Sequence, residues 1–223
     1  MGRPLFPEWI DRTRPLAGVL LAVVPLYLVA VVYYGGSPTT TDVGYRPEQP
    51  VAFSHALHPG ELGLDCRYCH NTVERAAHAA IPPTATCLNC LSQIATESPK
   101  LVLVRESFAS ASQQDPAGRP IPWVRVHDLP DYVYFDHSAH IARGVGCVSC
   151  HGRVDTMEQI YQVERLSMGW CLECHRNPEP HLRPQQFITD LDWTPDEDPV
   201  ALGKRLRETN DINPSDDCST CHR

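Results

Sequence analysis

"CRYCHNTVERAAHAAIPPTATCLNCL" runs from Cys66 to Leu91 and contains two Cys-x-x-Cys pairs. His70 follows the first pair and Leu91 follows the second. The spacing recurs along the chain. All ten cysteines fall into five such pairs: Cys66/Cys69, Cys87/Cys90, Cys147/Cys150, Cys171/Cys174 and Cys218/Cys221. Four of the pairs continue with histidine, as "CRYCH" (66–70), "CVSCH" (147–151), "CLECH" (171–175) and "CSTCH" (218–222). Two thiols three residues apart lie on one side of a helical turn. Each can form a thioether to a haem vinyl group, and the next imidazole, His70, His151, His175 or His222, is held against the iron. Covalent c-type haem is therefore the reading that decides the fold. Zinc ribbons also pair C-x-x-C turns, but they require no histidine directly after the second cysteine. Iron–sulfur proteins use other spacings. Structural disulfides normally join each cysteine to a distant partner.

Working outward, "VAFSHALHPGELGLDCRYCH" (51–70) repeats as "VYFDHSAHIARGVGCVSCH" (133–151). Both read V-x-F-x-H-x-x-H, a glycine-containing spacer, then C-x-x-C-H. A second C-x-x-C pair follows each, 21 and 24 residues further on from Cys to Cys. The chain is thus two modules, 51–91 and 133–175, with a terminal motif at 218–222, and Leu91 occupies the position of His175. Histidines three apart on a helix share a face. His55/His58 and His137/His140 are therefore the expected second ligands, each pair serving two neighbouring haems. His78, His127 and His181 are further candidates, with Met157 and Met168; a methionine ligand raises a haem's potential relative to bis-histidine neighbours.

Two readings of Cys87 and Cys90 stand. One is a fifth haem whose iron takes a histidine from elsewhere, such as His78 or His127. The other is a disulfide or an idle pair in a module without its haem. Unpaired thiols are a liability in an oxidising space, which favours the fifth haem beside the four in complete motifs.

Residues 16–34, "LAGVLLAVVPLYLVAVVYY", carry no charge. At ~1.5 Å per residue their helix spans about the hydrocarbon thickness of a bilayer. Pro25 is expected to kink it, which membranes tolerate, and Tyr33 and Tyr34 sit at interfacial depth. Arg3, Arg12 and Arg14 precede the run, and the next charge after it is Asp42. Positive charge stays cytoplasmic, so the remainder is expected on the periplasmic side of a bacterial inner membrane. "YYGGSP" makes a poor signal-cleavage site, so the segment reads as an uncleaved single-pass anchor. The domains are then 1–36, a cytoplasmic stub and transmembrane helix, and 37–223, a periplasmic multihaem domain.

The net charge is −8, which argues against nucleic acid as a partner and leaves an acidic exterior that either steers a basic soluble electron acceptor or simply keeps the domain soluble. The chain has 21 prolines and 13 glycines, which imply much turn and loop. The expected fold is a multihaem cytochrome c, with short helices and loops wrapped around stacked haems and one N-terminal transmembrane helix. "ASASQQDPAGRPIPW" (109–123) reads as a surface loop. The acidic, proline-rich 176–217 reads as an extended strap, a subunit-contact arm or a solvated linker. "PVALGKRLRET" (199–209) reads as a short helix, and "NPSDD" as a cap for the final haem turn.

"FSHALHPGELGLDCRYCH", "AAHAAIPPTATCLNC", "VHDLPDYVYFDHSAH" and "LSMGWCLECHRNPEPHLRP", with the single anchor, resemble the membrane-anchored pentahaem cytochrome c subunit of alternative complex III, a bacterial quinol-oxidising complex. The resemblance covers nearly the whole chain. It implies an iron–sulfur subunit, polytopic quinol-binding subunits and a monohaem cytochrome c as partners, in a respiratory or photosynthetic membrane. It also implies a role as an electron wire to a periplasmic acceptor. Leu91 departs from the family pattern, which has histidine there. Two other functions compete: a self-sufficient quinol dehydrogenase of the NapC/NirT type, and a multihaem reductase with one open haem at Cys87/Cys90.

Overall fold

The computed structural model describes residues 7–35, 42–111 and 118–222. Arg3 of the basic flank, 36–38 of the cleavage-site reading and 112–117 of the expected loop lie outside the described residues. The chain divides into two compact units, with the boundary between Asp42 and Val43.

The first unit is α1 (Glu8–Gly35). It stays helical through Pro15 and Pro25. Trp9–Gly35 is long and apolar enough to cross a membrane. Its side chains are exposed all round, with Leu21 at 81% and Val32 at 74%. In water such a helix would have no reason to form; in hydrocarbon its internal hydrogen bonds satisfy the backbone.

The second unit contains only short helices and turns among its described residues: α2 (Cys66–Cys69), α3 (Thr84–Leu91), α4 (Val102–Ser110), α5 (His137–Ala142), α6 (Val148–His151), α7 (Met168–Arg176), α8 (Pro199–Thr209) and α9 (Cys218–Cys221). No strand appears among them. Two isolated bridges pair Val133 with His222 and Val145 with Leu182. The hydrocarbon core is thin. Val51, Val104 and Ile121 form one small cluster, against which Leu101 and Trp123 pack. No large side chain is fully buried among the described residues. A domain of this length normally buries about 70% of its unfolded surface, which these few side chains cannot accomplish alone.

Local capping positions the functional turns. The Asp65 carboxylate accepts from the Arg67 backbone N–H at 2.8 Å and starts α2. Asp136 does the same for α5 through Ser138 and Ala139. The final turn is held by the expected stretch 213–217, through its serine. The Asp217 side chain makes no cap bond; instead the Ser215 hydroxyl meets Thr220 Oγ1 at 2.9 Å and accepts from the Asp217 N–H. Residues 199–209 form α8 as expected, capped by Asp198. The 176–217 segment is not a solvated linker. Leu182, Ile188, Leu191 and Ile212 are buried. Gly203 of α8 lies so close to the Glu179 carbonyl that a Cβ would collide with it, and Arg207 pairs with Glu179 at 2.6 Å.

Candidate functional site

The two Phe-x-His-x-x-His segments fold into nearly the same local geometry. Phe53 meets His55 edge-on at 4.8 Å and stacks on His58 at 4.4 Å and 22°. Phe135 meets His137 edge-on at 4.8 Å and stacks on His140 at 4.5 Å and 28°. The phenyl ring fixes both imidazoles at once, which is why the motif needs an aromatic two residues before the first histidine.

The backbone beneath them differs. His137 and His140 lie on α5. His58 lies on a π-helical turn (Ala56–Glu61) that contains Pro59. Proline has no N–H for the α-helical bond to the His55 carbonyl. The Gly60 N–H takes that carbonyl instead at 3.3 Å, one residue later. This turn packs on a 3-10 turn (Val154–Thr156) so closely that a Cβ on Gly60 would strike the Asp155 carbonyl.

Six imidazoles share one anchoring rule: Nδ1 donates to a backbone carbonyl, which leaves Nε2 as the free coordinating nitrogen. His58 bonds Ser54 O at 2.8 Å and His140 bonds Asp136 O at 2.7 Å. His70 bonds Ala80 O at 2.8 Å and His137 bonds Ala77 O at 2.8 Å. His175 bonds Ser215 O at 2.6 Å and His222 bonds Tyr132 O at 3.3 Å. The carbonyls for His70 and His137 come from a single segment, so one stretch of the first module aims a histidine of each module.

Two histidine pairs face one another at metal-bridging distance. The His137 and His151 ring centres are 6.3 Å apart, with planes inclined by 10°. Those of His140 and His175 are 6.0 Å apart, with planes inclined by 46°. A metal between two imidazoles, about 2.0–2.1 Å from each coordinating nitrogen, sets ring centres roughly 6 Å apart. Among the described residues, no three or more His, Cys, Asp or Glu converge as a zinc site would need. Two imidazoles per centre is the donor set that suits a metal whose other four positions a porphyrin fills, so the residues fit c-type haem.

Burial keeps the deeper imidazoles neutral, the form that binds a metal. Burial first, and then the neighbouring His127, His137, His70 and His55, push His151 down to about 3. Burial, His70 and His58 hold His55 at about 4. Burial and His137 hold His127 at about 4. His55 and His127 each keep a ring nitrogen buried without a hydrogen-bond partner, a cost that a metal bond removes. His127 packs edge-on against His151 at 4.5 Å, close to the second module's first motif. His78 is exposed, and among the described residues no ring contact draws it into the array. His181 sits on a 3-10 turn (Glu179–His181) beneath α8. Met157 is buried, and Met168 is 65% exposed at the start of α7.

The cysteine turns form a chain of neighbours. Asn89 Nδ2 donates to the Tyr68 hydroxyl at 3.0 Å, tying α3 to α2. The Cys69 thiol adds to burial in pushing Cys87 up. Ile188 and Thr189 join α2 to the second module: the Cys147 N–H donates to Ile188 O at 3.1 Å and the Cys66 thiol to Thr189 O at 3.9 Å. The neighbouring Cys147 thiol is the main reason Cys66 is pushed up, with burial second. Burial, then Cys174 and Cys171, push Cys150 up to about 12. Cys171 is raised by burial and then by Cys221, and Arg176 pairs with Asp216 at 3.5 Å. Spatial succession is therefore 87/90, 66/69, 147/150, 171/174, 218/221, with the first two motifs in reverse of sequence order. No disulfide joins any two of the ten cysteines.

Residues 133–223 match the family described as cytochrome c7 and related cytochrome c. With the motifs and paired imidazoles, this makes the chain a multihaem cytochrome c, built of short helices and loops with one N-terminal apolar helix able to span a membrane. It is similar to the menaquinone reductase multihaem cytochrome c subunit of Nitratidesulfovibrio vulgaris, 28% identical over 175 residues that cover 70% of this chain and 80% of the relative. Its cofactor is haem c and its business is electron transfer.

Proposed function

We propose that this chain is the membrane-anchored electron-transfer subunit of a quinol-oxidising complex of the alternative complex III kind. Residues 1–36 are its stub and anchor, and 37–223 its periplasmic haem domain. Five haems, one per C-x-x-C turn, carry electrons to a soluble periplasmic acceptor. The observation that carries this reading is the unbroken succession of cysteine turns, with histidines paired at iron-bridging distance along it. Iron with an imidazole on both sides has no position left for a substrate, so these centres exchange electrons and do not transform molecules. In this reading His70, His151, His175 and His222 are the motif ligands. His137 is the second ligand opposite His151, His140 opposite His175, and His55 opposite His70; His181 completes the last centre.

The relative's name supports a quinone-linked membrane assembly, and the long motifs support the iron–sulfur, polytopic and monohaem cytochrome c partners. That name also favours a second reading, in which electrons run toward menaquinone. Menaquinol added to the purified complex tests both. The expected result is reduction of the haem c absorbance by quinol in the complex, and none in the isolated chain. Quinol oxidation by the isolated chain would mean a self-sufficient quinol dehydrogenase. Oxidation of pre-reduced haems by menaquinone, without the forward reaction, would mean the reverse direction.

A further inference from the structure

The two modules should each hold a histidine pair for their second haem, but only one does. In the second module His140 faces His175 at 6.0 Å. In the first, His58 reproduces His140 in its phenylalanine stacking, 4.4 Å against 4.5 Å, and in its Nδ1 anchor, 2.8 Å against 2.7 Å. Its Nε2 is therefore presented in the same way. The residue in the place of His175 is Leu91, which ends α3 and supplies no donor atom. Neither His78 nor His127 replaces it: His78 is exposed, and His127 packs on His151. The cysteines themselves are correctly built, since Cys87 and Cys90 lie one turn apart on an eight-residue helix. Beside them the surroundings are apolar: Cys87 and Leu88 pack against Val51, Val104 and Ile121, with Trp123 adjoining.

We propose that the haem on Cys87 and Cys90 has His58 as its single protein ligand, and that Leu91 leaves the opposite iron position open to a small neutral diatomic ligand. The proposal rests on the haem-carrying reading of this cysteine pair and goes beyond electron transfer, because it gives one centre a binding site. An apolar side chain opposite the imidazole offers no hydrogen bond or charge to an anion, but it tolerates an uncharged diatomic. The site lies at one end of the succession of turns, where binding a ligand leaves the interior centres untouched.

Carbon monoxide is the probe. It is added to the dithionite-reduced full-length protein in detergent, with the covalent haem number taken from the intact mass of the same sample. The expected result is one carbon monoxide bound per chain carrying five haems, and one high-spin haem in the oxidised electron paramagnetic resonance spectrum. Leu91→His should keep the mass and lose both the carbon monoxide band and the high-spin signal. Cys87→Ala/Cys90→Ala should lose one haem of mass together with the band. Five haems without carbon monoxide binding would overturn the proposal, as would a band that survives either variant. A mass of four haems would also overturn it, while leaving the electron-transfer reading of the other centres standing.

Discussion

Residues 51–91 and 133–175 are two copies of one plan, and two of their differences bear on the histidine geometry and ligation. Where the second copy has Ile141 after its histidine pair, the first has Pro59; where the second has His175, the first has Leu91. The first substitution changes the backbone and spares the geometry of the imidazoles. Proline moves the His55 carbonyl to the next donor and turns an α-helix into a π-turn, yet the phenylalanine still holds both rings within 0.1 Å and a few degrees of their counterparts. The second substitution leaves the backbone helical and removes a donor atom. Ring placement is thus governed by the aromatic residue and the Nδ1 anchors, whereas ligation depends on a single side chain after each cysteine pair.

The strongest way to break this comparison is to make the second module resemble the first. His175→Ala should strip His140 of its partner in the interior of the succession. The haem should be retained but become high-spin and bind carbon monoxide. Quinol-driven reduction of the soluble acceptor should fall at least several-fold, measured by stopped-flow absorbance. An unchanged low-spin spectrum would mean that His140 and His175 do not share an iron.

A smaller effect is expected from loosening an anchor. Thr72 Oγ1 donates to His78 O and accepts from the Ala80 N–H at 2.8 Å, shaping the segment whose carbonyls aim His70 and His137. Loss of a partner that orients a metal ligand typically costs about 10–100-fold in metal affinity or activity. A covalently tethered haem cannot leave, so Thr72→Val should show itself as shifted midpoint potentials of the Cys66/Cys69 and Cys147/Cys150 centres in a redox titration, with the haem number unchanged.

The backbone difference can be sharpened through stability. Gly60 of the first module corresponds to Ala142 of the second. Gly60→Ala drives a methyl into the Asp155 carbonyl, and overpacking of this kind costs about 1–3 kcal/mol. Ala142→Gly should cost about 1 kcal/mol or less. Thermal unfolding followed by haem absorbance should therefore rank Gly60→Ala below Ala142→Gly. The smallest effect belongs to His78→Ala and Met168→Leu. Both residues are exposed, and visible spectra and potentials should stay at the wild-type values.

Much of this was legible in contiguous residues. A C-x-x-C-H turn carries its own chemistry, so Cys66–His70, Cys147–His151, Cys171–His175 and Cys218–His222 are readable without a fold. Phe-x-His-x-x-His is likewise local, and the nineteen uncharged residues before Gly35 announce their own helix. The anchors were not legible, because Ala77, Ala80, Tyr132 and Ser215 contribute only backbone carbonyls and nothing in a side chain marks them. The order of the centres was hidden as well: sequence runs from Cys66 to Cys87 to Cys147, whereas space puts Cys66 between the other two, through Tyr68–Asn89 on one side and Ile188–Thr189 on the other. Pro59 was a signal in plain view, since a proline directly after His58 removes the α-helical bond that would reach His55. The acidic 176–217 segment looked extended because its few apolar residues are scattered; it docks through Leu182, Ile188, Leu191 and Ile212 together with the close approach at Gly203.

The most direct measurement is the intact mass of the full-length protein extracted in its native state. The polypeptide accounts for 24.9 kDa, and each covalent haem adds the same increment. Five increments are expected, one for every cysteine pair. A spectrum at the bare polypeptide mass, or at that mass less the hydrogens lost to disulfides, would contradict the account at its root.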